Sequence, residues 1–169
     1  MSTLKADTLQ AKTTNGTLTL ANNGTGKVEL PSDTTIGDQT YTPVWTSSGT
    51  APAIGNGTIT GRYHVINGLC TLKIDVVFGS TSTYGSGEYR FSVPVAAVAG
   101  SSGAAGVGSC WVNDTGTGYA QGFAVIRNAT AYCQVNFDFG TISATAMSAT
   151  VPTTFTTGDG VTITLVYEV

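Results

Sequence analysis

Residues 58–79 read TITGRYHVINGLCTLKIDVVFG, two alternating runs on either side of Asn67-Gly68. An Asn-Gly pair between such runs makes a two-residue hairpin turn, because its backbone twist matches the twist of the strands it joins. The turn sets Val65 opposite Cys70 and Tyr63 opposite Leu72. Those four residues, with Ile74 and Val76, share one face, while Arg62, His64, Thr71, Lys73 and Asp75 share the other. A slip of one residue would exchange the faces and bury the charges. Turn chemistry and hydrophobic pattern therefore choose the same register. The first face is predicted to be core, so Val65→Asp would put an unpaired charge there.

The pattern continues outward from this hairpin. Strands are predicted at 89–93, ending at Pro94, and at 107–112, with Cys110 and Trp111. A second hairpin joins 122–127 to 131–139, where Cys133, Val135, Phe137 and Phe139 share a face. Residues 161–169 form the last strand, with Val161, Ile163, Leu165 and Tyr167 on one side. Short strands near Trp45 and Thr58 complete the set. Segments 79–87 and 96–109, rich in Gly, Ser and Ala, read as loops, and 142–149 fits neither strand nor helix well. With about seven to nine short strands and long connections, an all-β, jelly-roll-like β-sandwich over residues 41–169 is predicted.

Composition agrees. Hydrophobic residues make up 41% of the 169, enough for a core, whereas charged residues make up only 10%. The net charge is −3, and the Lys and Arg side chains are spread singly, so no basic patch points to nucleic acid. No apolar run is long enough to span a membrane as a helix. The opening residues lack a charged stretch followed by an apolar one, so synthesis in the cytoplasm is expected. Cys70, Cys110 and Cys133 each sit in an alternating run without a CxxC spacing and are expected to be buried thiols.

Residues 1–40 differ from the rest. NGTLTL at 15–20 and NGTGKVEL at 23–30 form a crude repeat of turn and short strand. Leu4, Leu9, Leu18, Leu20, Val28 and Leu30 are the only large aliphatic residues in the first thirty. So few apolar side chains cannot offset the conformational entropy lost in ordering such a ribbon. Neighbouring chains would have to fix it. Residues 1–40 are therefore predicted to be an extended β-ribbon that anchors the chain, with those six residues making subunit contacts. Packing against its own sandwich as extra edge strands is the alternative.

Little in the sequence suggests catalysis. His64 is the single histidine, and no GxSxG elbow, HExxH, P-loop or Cys/His cluster accompanies it. No catalytic, metal-binding or cofactor-binding residues are assigned, and no cofactor is expected. Asp114, Asp138 and Asp159 are loop carboxylates that no ligand spacing selects for Ca²⁺. The N-x-T triplets at Asn15, Asn23, Asn56, Asn113 and Asn128 are read as turn chemistry followed by strand starts. Tyr84, Trp111 and Tyr119 are the candidate glycan contacts, since aromatic faces beside Asn and Asp suit sugars. The alternative puts Trp111 in the core and the tyrosines as caps on the sandwich edge.

The stretch YTPVWTSSGTAPAIGNGTITGRYHVINGLCTLKIDVVFGSTSTYGSGEYRFSVPVAA, residues 41–97, resembles a module of tailed-bacteriophage surface proteins. It is similar to the "YTPxW…GNGTxxGRY…FG…G…YRFSLPV" pattern of tail-fibre and head-decoration proteins, with Val93 in the usual Leu position. The opening MSTLKADTLQAKT is similar to the start of virion structural proteins from marine and cyanobacterial phages. The resemblance implies a non-enzymatic virion surface protein, a homotrimer assembled in the host cytoplasm. It is expected to be a capsid decoration (cement) protein docked by its arm on the major capsid protein. The shortness of residues 1–40 favours this over a fibre with a long shaft. The alternative is a short tail fibre or receptor-binding protein, held by a tail or adaptor protein and touching host glycans. A polysaccharide hydrolase is the weakest option, because no carboxylate pair at a cleft can be picked out.

Overall fold

A computed structural model describes residues 39–66, 68–98, 103–127, 130–140 and 143–169. The anchoring contacts expected at Leu4, Leu9, Leu18, Leu20, Val28 and Leu30 lie outside the described residues. In chain order the strands are β1 (Gln39–Tyr41), β2 (Trp45–Ser47), β3 (Thr58–Ile66), β4 (Leu69–Val77) and β5 (Tyr89–Ser92). They continue with β6 (Ala104–Asp114), β7 (Gly118–Arg127), β8 (Tyr132–Phe137), β9 (Thr145–Ala146) and β10 (Gly160–Glu168). No helix occurs among the described residues.

The hairpin at 58–79 forms in the predicted register. Val65 pairs with Cys70, Tyr63 with Leu72 and Ile66 with Leu69. Gly68 takes a φ of +74°, a conformation that glycine reaches without steric cost. All the strands belong to one antiparallel sheet of order β1-β3-β4-β10-β6-β7-β8-β5-β2, with β9 beside β8. The sheet curls until its ends meet. β1 and β2 stand at opposite ends of the order, yet only residues 42–44 separate them. That link spans at most about 14 Å. A hydrogen bond crosses the seam, from the Tyr41 hydroxyl on β1 to the Ser92 carbonyl on β5 at 3.0 Å, while Val44 N–H to Ser92 Oγ at 2.8 Å and Ser92 N–H to the Val44 carbonyl at 2.9 Å extend the β2–β5 ladder into the link. The result is an all-β, jelly-roll-like sandwich with its core inside the curl.

The core follows the alternation. Cys70, Leu72, Ile74 and Val76 of β4 and Val161, Ile163, Leu165 and Tyr167 of β10 are all buried. So are Cys110, Cys133, Val135 and Phe137, and the three cysteines are free thiols. One end of the core is aromatic. Trp45 packs on Phe78 and Tyr89 with ring centroids 5.2 and 4.9 Å apart, and Phe155 lies 5.1 Å from Phe78.

Four expectations need correction. Val65 is 41% exposed. β3 lies next to the sheet edge, and β1 covers it only opposite Gly61–Tyr63, which leaves Val65 beyond the cover. Phe139 is exposed as well, because β8 ends at Phe137 before the shared face can continue. Within 96–109, the strand predicted from 107 already begins at Ala104. Its small residues serve close approach to β10: a Cβ on Gly108 would overlap the Thr164 carbonyl, and one on Gly106 would overlap Tyr167. Trp111 is not core.

Candidate functional site

Alternation along β6 puts Cys110 and Val112 inside, so Trp111 between them must face out. Its neighbours are Gln121 on β7 and Thr162 on β10. Tyr119, opposite Asn113, occupies the adjacent diagonal position on the same face. The two rings stack, with centroids 4.6 Å apart and planes 23° from parallel. Trp111 is 44% exposed and Tyr119 is 74% exposed. Phe123 extends this surface on the other diagonal and is also exposed.

Polar residues flank the rings. The row through Trp111 runs Gln121, Trp111, Thr162, Asp75 and Thr60 across β7, β6, β10, β4 and β3. Thr162 Oγ1 donates to Asp75 Oδ1 at 2.8 Å, and Lys73 Nζ lies 2.8 Å from Asp75 Oδ2. The next row carries Phe123, Ser109, Thr164, Lys73 and Arg62.

The structure brings Trp111 and Tyr119 together but places Tyr84 elsewhere. Tyr84 is half-buried in the aromatic end of the core, 5.2 Å from Phe78 and 6.5 Å from Trp45. Its carbonyl accepts the Tyr89 hydroxyl at 2.6 Å. Burial raises the Tyr84 phenol above its ordinary range. The outward direction of Trp111 was available from the Cys110/Val112 alternation. The stacking on Tyr119 was not, because it needs the pairing of β6 with β7.

The loop carboxylates act as turn fasteners. Asp159 is fully buried. Its Oδ1 accepts Thr115 N–H at 2.8 Å and Thr115 Oγ1–H at 2.9 Å; its Oδ2 accepts Thr156 N–H at 2.7 Å and Thr156 Oγ1–H at 3.2 Å. Asp114 accepts Gly116 N–H at 2.8 Å, Thr117 N–H at 3.0 Å and the Thr153 hydroxyl. The Thr117 and Thr153 side chains lead in holding its carboxyl down at about 2. Donors from the chain itself thus fill the positions a cation would need. No cluster of metal-ligating side chains occurs among the described residues. Asn56 follows the same logic, with Oδ1 accepting Thr81 N–H at 3.0 Å and Nδ2 donating to Ser80 Oγ at 3.1 Å.

His64 stands on the outer face opposite Thr71. It borders an open groove of about 650 Å³ with Ile66, Leu69, Val98 and Glu168. Ile66, Leu69 and Val98 are each exposed at this end of the sheet, beside the polar His64, Thr71 and Glu168.

The outer face therefore has an aromatic, polar half over β6 and β7 and an aliphatic end at the β3–β4 turn. Comparisons with protein-family models, curated proteins and solved structures return no match.

Proposed function

We propose that this chain is a non-enzymatic structural protein of a tailed-phage virion, a homotrimeric decoration protein of the capsid surface. Residues 1–40 anchor it on the major capsid protein, and the sandwich is its exposed head. The observation that carries this reading is the outer face of the sheet. Leu69, Val107, Trp111, Phe123 and Val166 stand exposed on it, in a chain where charged residues are only 10%. Exposed apolar surface rimmed by polar residues marks contact with other molecules. The carboxylates of the turns are engaged by the fold itself, which favours a structural over a hydrolytic role.

The Trp111–Tyr119 pair favours a second reading, a short tail fibre or receptor-binding protein held by a tail or adaptor protein. Labelling the chain on intact particles separates the two. Signal distributed over the capsid supports decoration, signal confined to the tail supports the fibre, and absence from purified particles refutes both.

A further inference from the structure

We propose that the stacked Trp111–Tyr119 pair is a binding platform for the ring of a neutral saccharide. The inference does not depend on where the chain sits on a particle.

A sugar ring has one face of C–H groups and a rim of hydroxyls. It needs a flat apolar surface with hydrogen-bonding groups at its side. The Tyr119 ring, 74% exposed and backed by the stacked Trp111 ring, supplies that surface on its outer face. The rim partners are Gln121 beside Trp111, Asn113 beside Tyr119, and Thr162 on the next strand, whose hydroxyl donates to Asp75 and is left to accept. Strand spacing places Thr162 about 5 Å and Asp75 about 10 Å from Trp111 on the same face. Amides and hydroxyls can both donate and accept, which matches the hydroxyls of a sugar.

Charge selects a neutral ligand. The flanking residues Gln121, Asn113 and Thr162 carry none. The one charge in the Trp111 row, Asp75, is paired at 2.8 Å with Lys73 of the next row. An acidic sugar would meet no cation along that row. Rigidity also favours binding. β6 is paired along its length with β7 on one side and β10 on the other, so the platform loses little freedom when it is occupied.

The test uses the full-length chain titrated with methyl β-D-galactopyranoside, methyl β-D-glucopyranoside and lactose. Saturation-transfer NMR and tryptophan fluorescence are the readouts. The chain has two tryptophans, and Trp45 is buried, so a fluorescence change reports Trp111. At least one sugar is expected to bind with millimolar affinity and to receive saturation on its C–H face. Trp111→Ala or Tyr119→Ala should weaken binding about tenfold, the scale of one lost aromatic contact. Tyr84→Phe should leave it unchanged. Tyr119→Ala removes a highly exposed side chain, so it keeps the test interpretable if Trp111→Ala fails to fold. No transfer to any of the three sugars, or binding unaffected by both alanine variants, overturns the proposal. So does galacturonate binding more tightly than galactose.

Discussion

Tyr41, near one end of the strand order, donates its hydroxyl to the Ser92 carbonyl on β5, near the other end, at 3.0 Å. The bond spans the seam along which the curled sheet closes. The Tyr41 ring packs edge-on against Tyr63 with centroids 5.8 Å apart, and burial pushes its phenol well above the ordinary range. Tyr41→Phe keeps the ring and removes the bond. The expected loss is about 1 kcal/mol. Thermal unfolding should show this as a fall of about 2–4 °C in Tm.

Alkaline pH should weaken the fold in two stages. Burial pushes the Cys110 and Cys133 thiols up to about 12. Burial likewise raises the Tyr41, Tyr89 and Tyr167 phenols. The fold favours the neutral form of each group. The stability they contribute is therefore full below their unfolded pKa values, about 8.5 for Cys and 10 for Tyr, and is lost as pH rises above those. Melting curves across this range should show Tm falling from about pH 8.5 and more steeply above about pH 10. The Cys110→Ala, Cys133→Ala double variant should show a smaller first stage, with the part due to Cys70, whose thiol burial also raises, remaining, and should keep the second.

Two positions on the first hairpin should respond very differently to the same change. Leu72 is buried in β4, so Leu72→Asp places an unpaired carboxylate in the core and should prevent folding. Val65 pairs with Cys70 but is 41% exposed, so Val65→Asp should cost about 1 kcal/mol or less. Circular dichroism of the two purified variants checks the contrast.

Gly108 should tolerate no side chain. A Cβ there would overlap the Thr164 carbonyl and come within 2.8 Å of Leu165 Cα, both backbone atoms of the paired strand. Gly108→Ala is expected to cost about 1–3 kcal/mol or more through overpacking. At Gly116 a Cβ would meet only Asp114 Oδ1, at 3.4 Å, so Gly116→Ala should change stability little. Urea unfolding of both variants measures the difference.

These residues also show what the sequence could reveal. The β3–β4 register was legible because the Asn67-Gly68 turn and the alternation to Val76 are local and agree. The inner face of β10 was legible for the same reason. The burial of Val65 was not, because it depends on how far β1 extends along β3. The first half of β6 looked like a loop because Gly106 and Gly108 are small. Their smallness answers a neighbour more than fifty residues away, Thr164 to Tyr167. The same distance hid the insertion of β10 between β4 and β6. At the candidate site, alternation pointed Trp111 outward, but only the hairpin across Asp114 and Gly118 brings Tyr119 onto it.

The central proposal is that the chain works as an assembly held by its first forty residues. Sedimentation equilibrium of the full-length chain tests this most directly. The account predicts a mass about three times the 17.2 kDa of one chain. It also predicts a fall to the single-chain mass in a Leu18→Asp, Leu20→Asp variant whose β-sheet circular dichroism is unchanged. An unmodified chain that sediments as a monomer at all concentrations would contradict it.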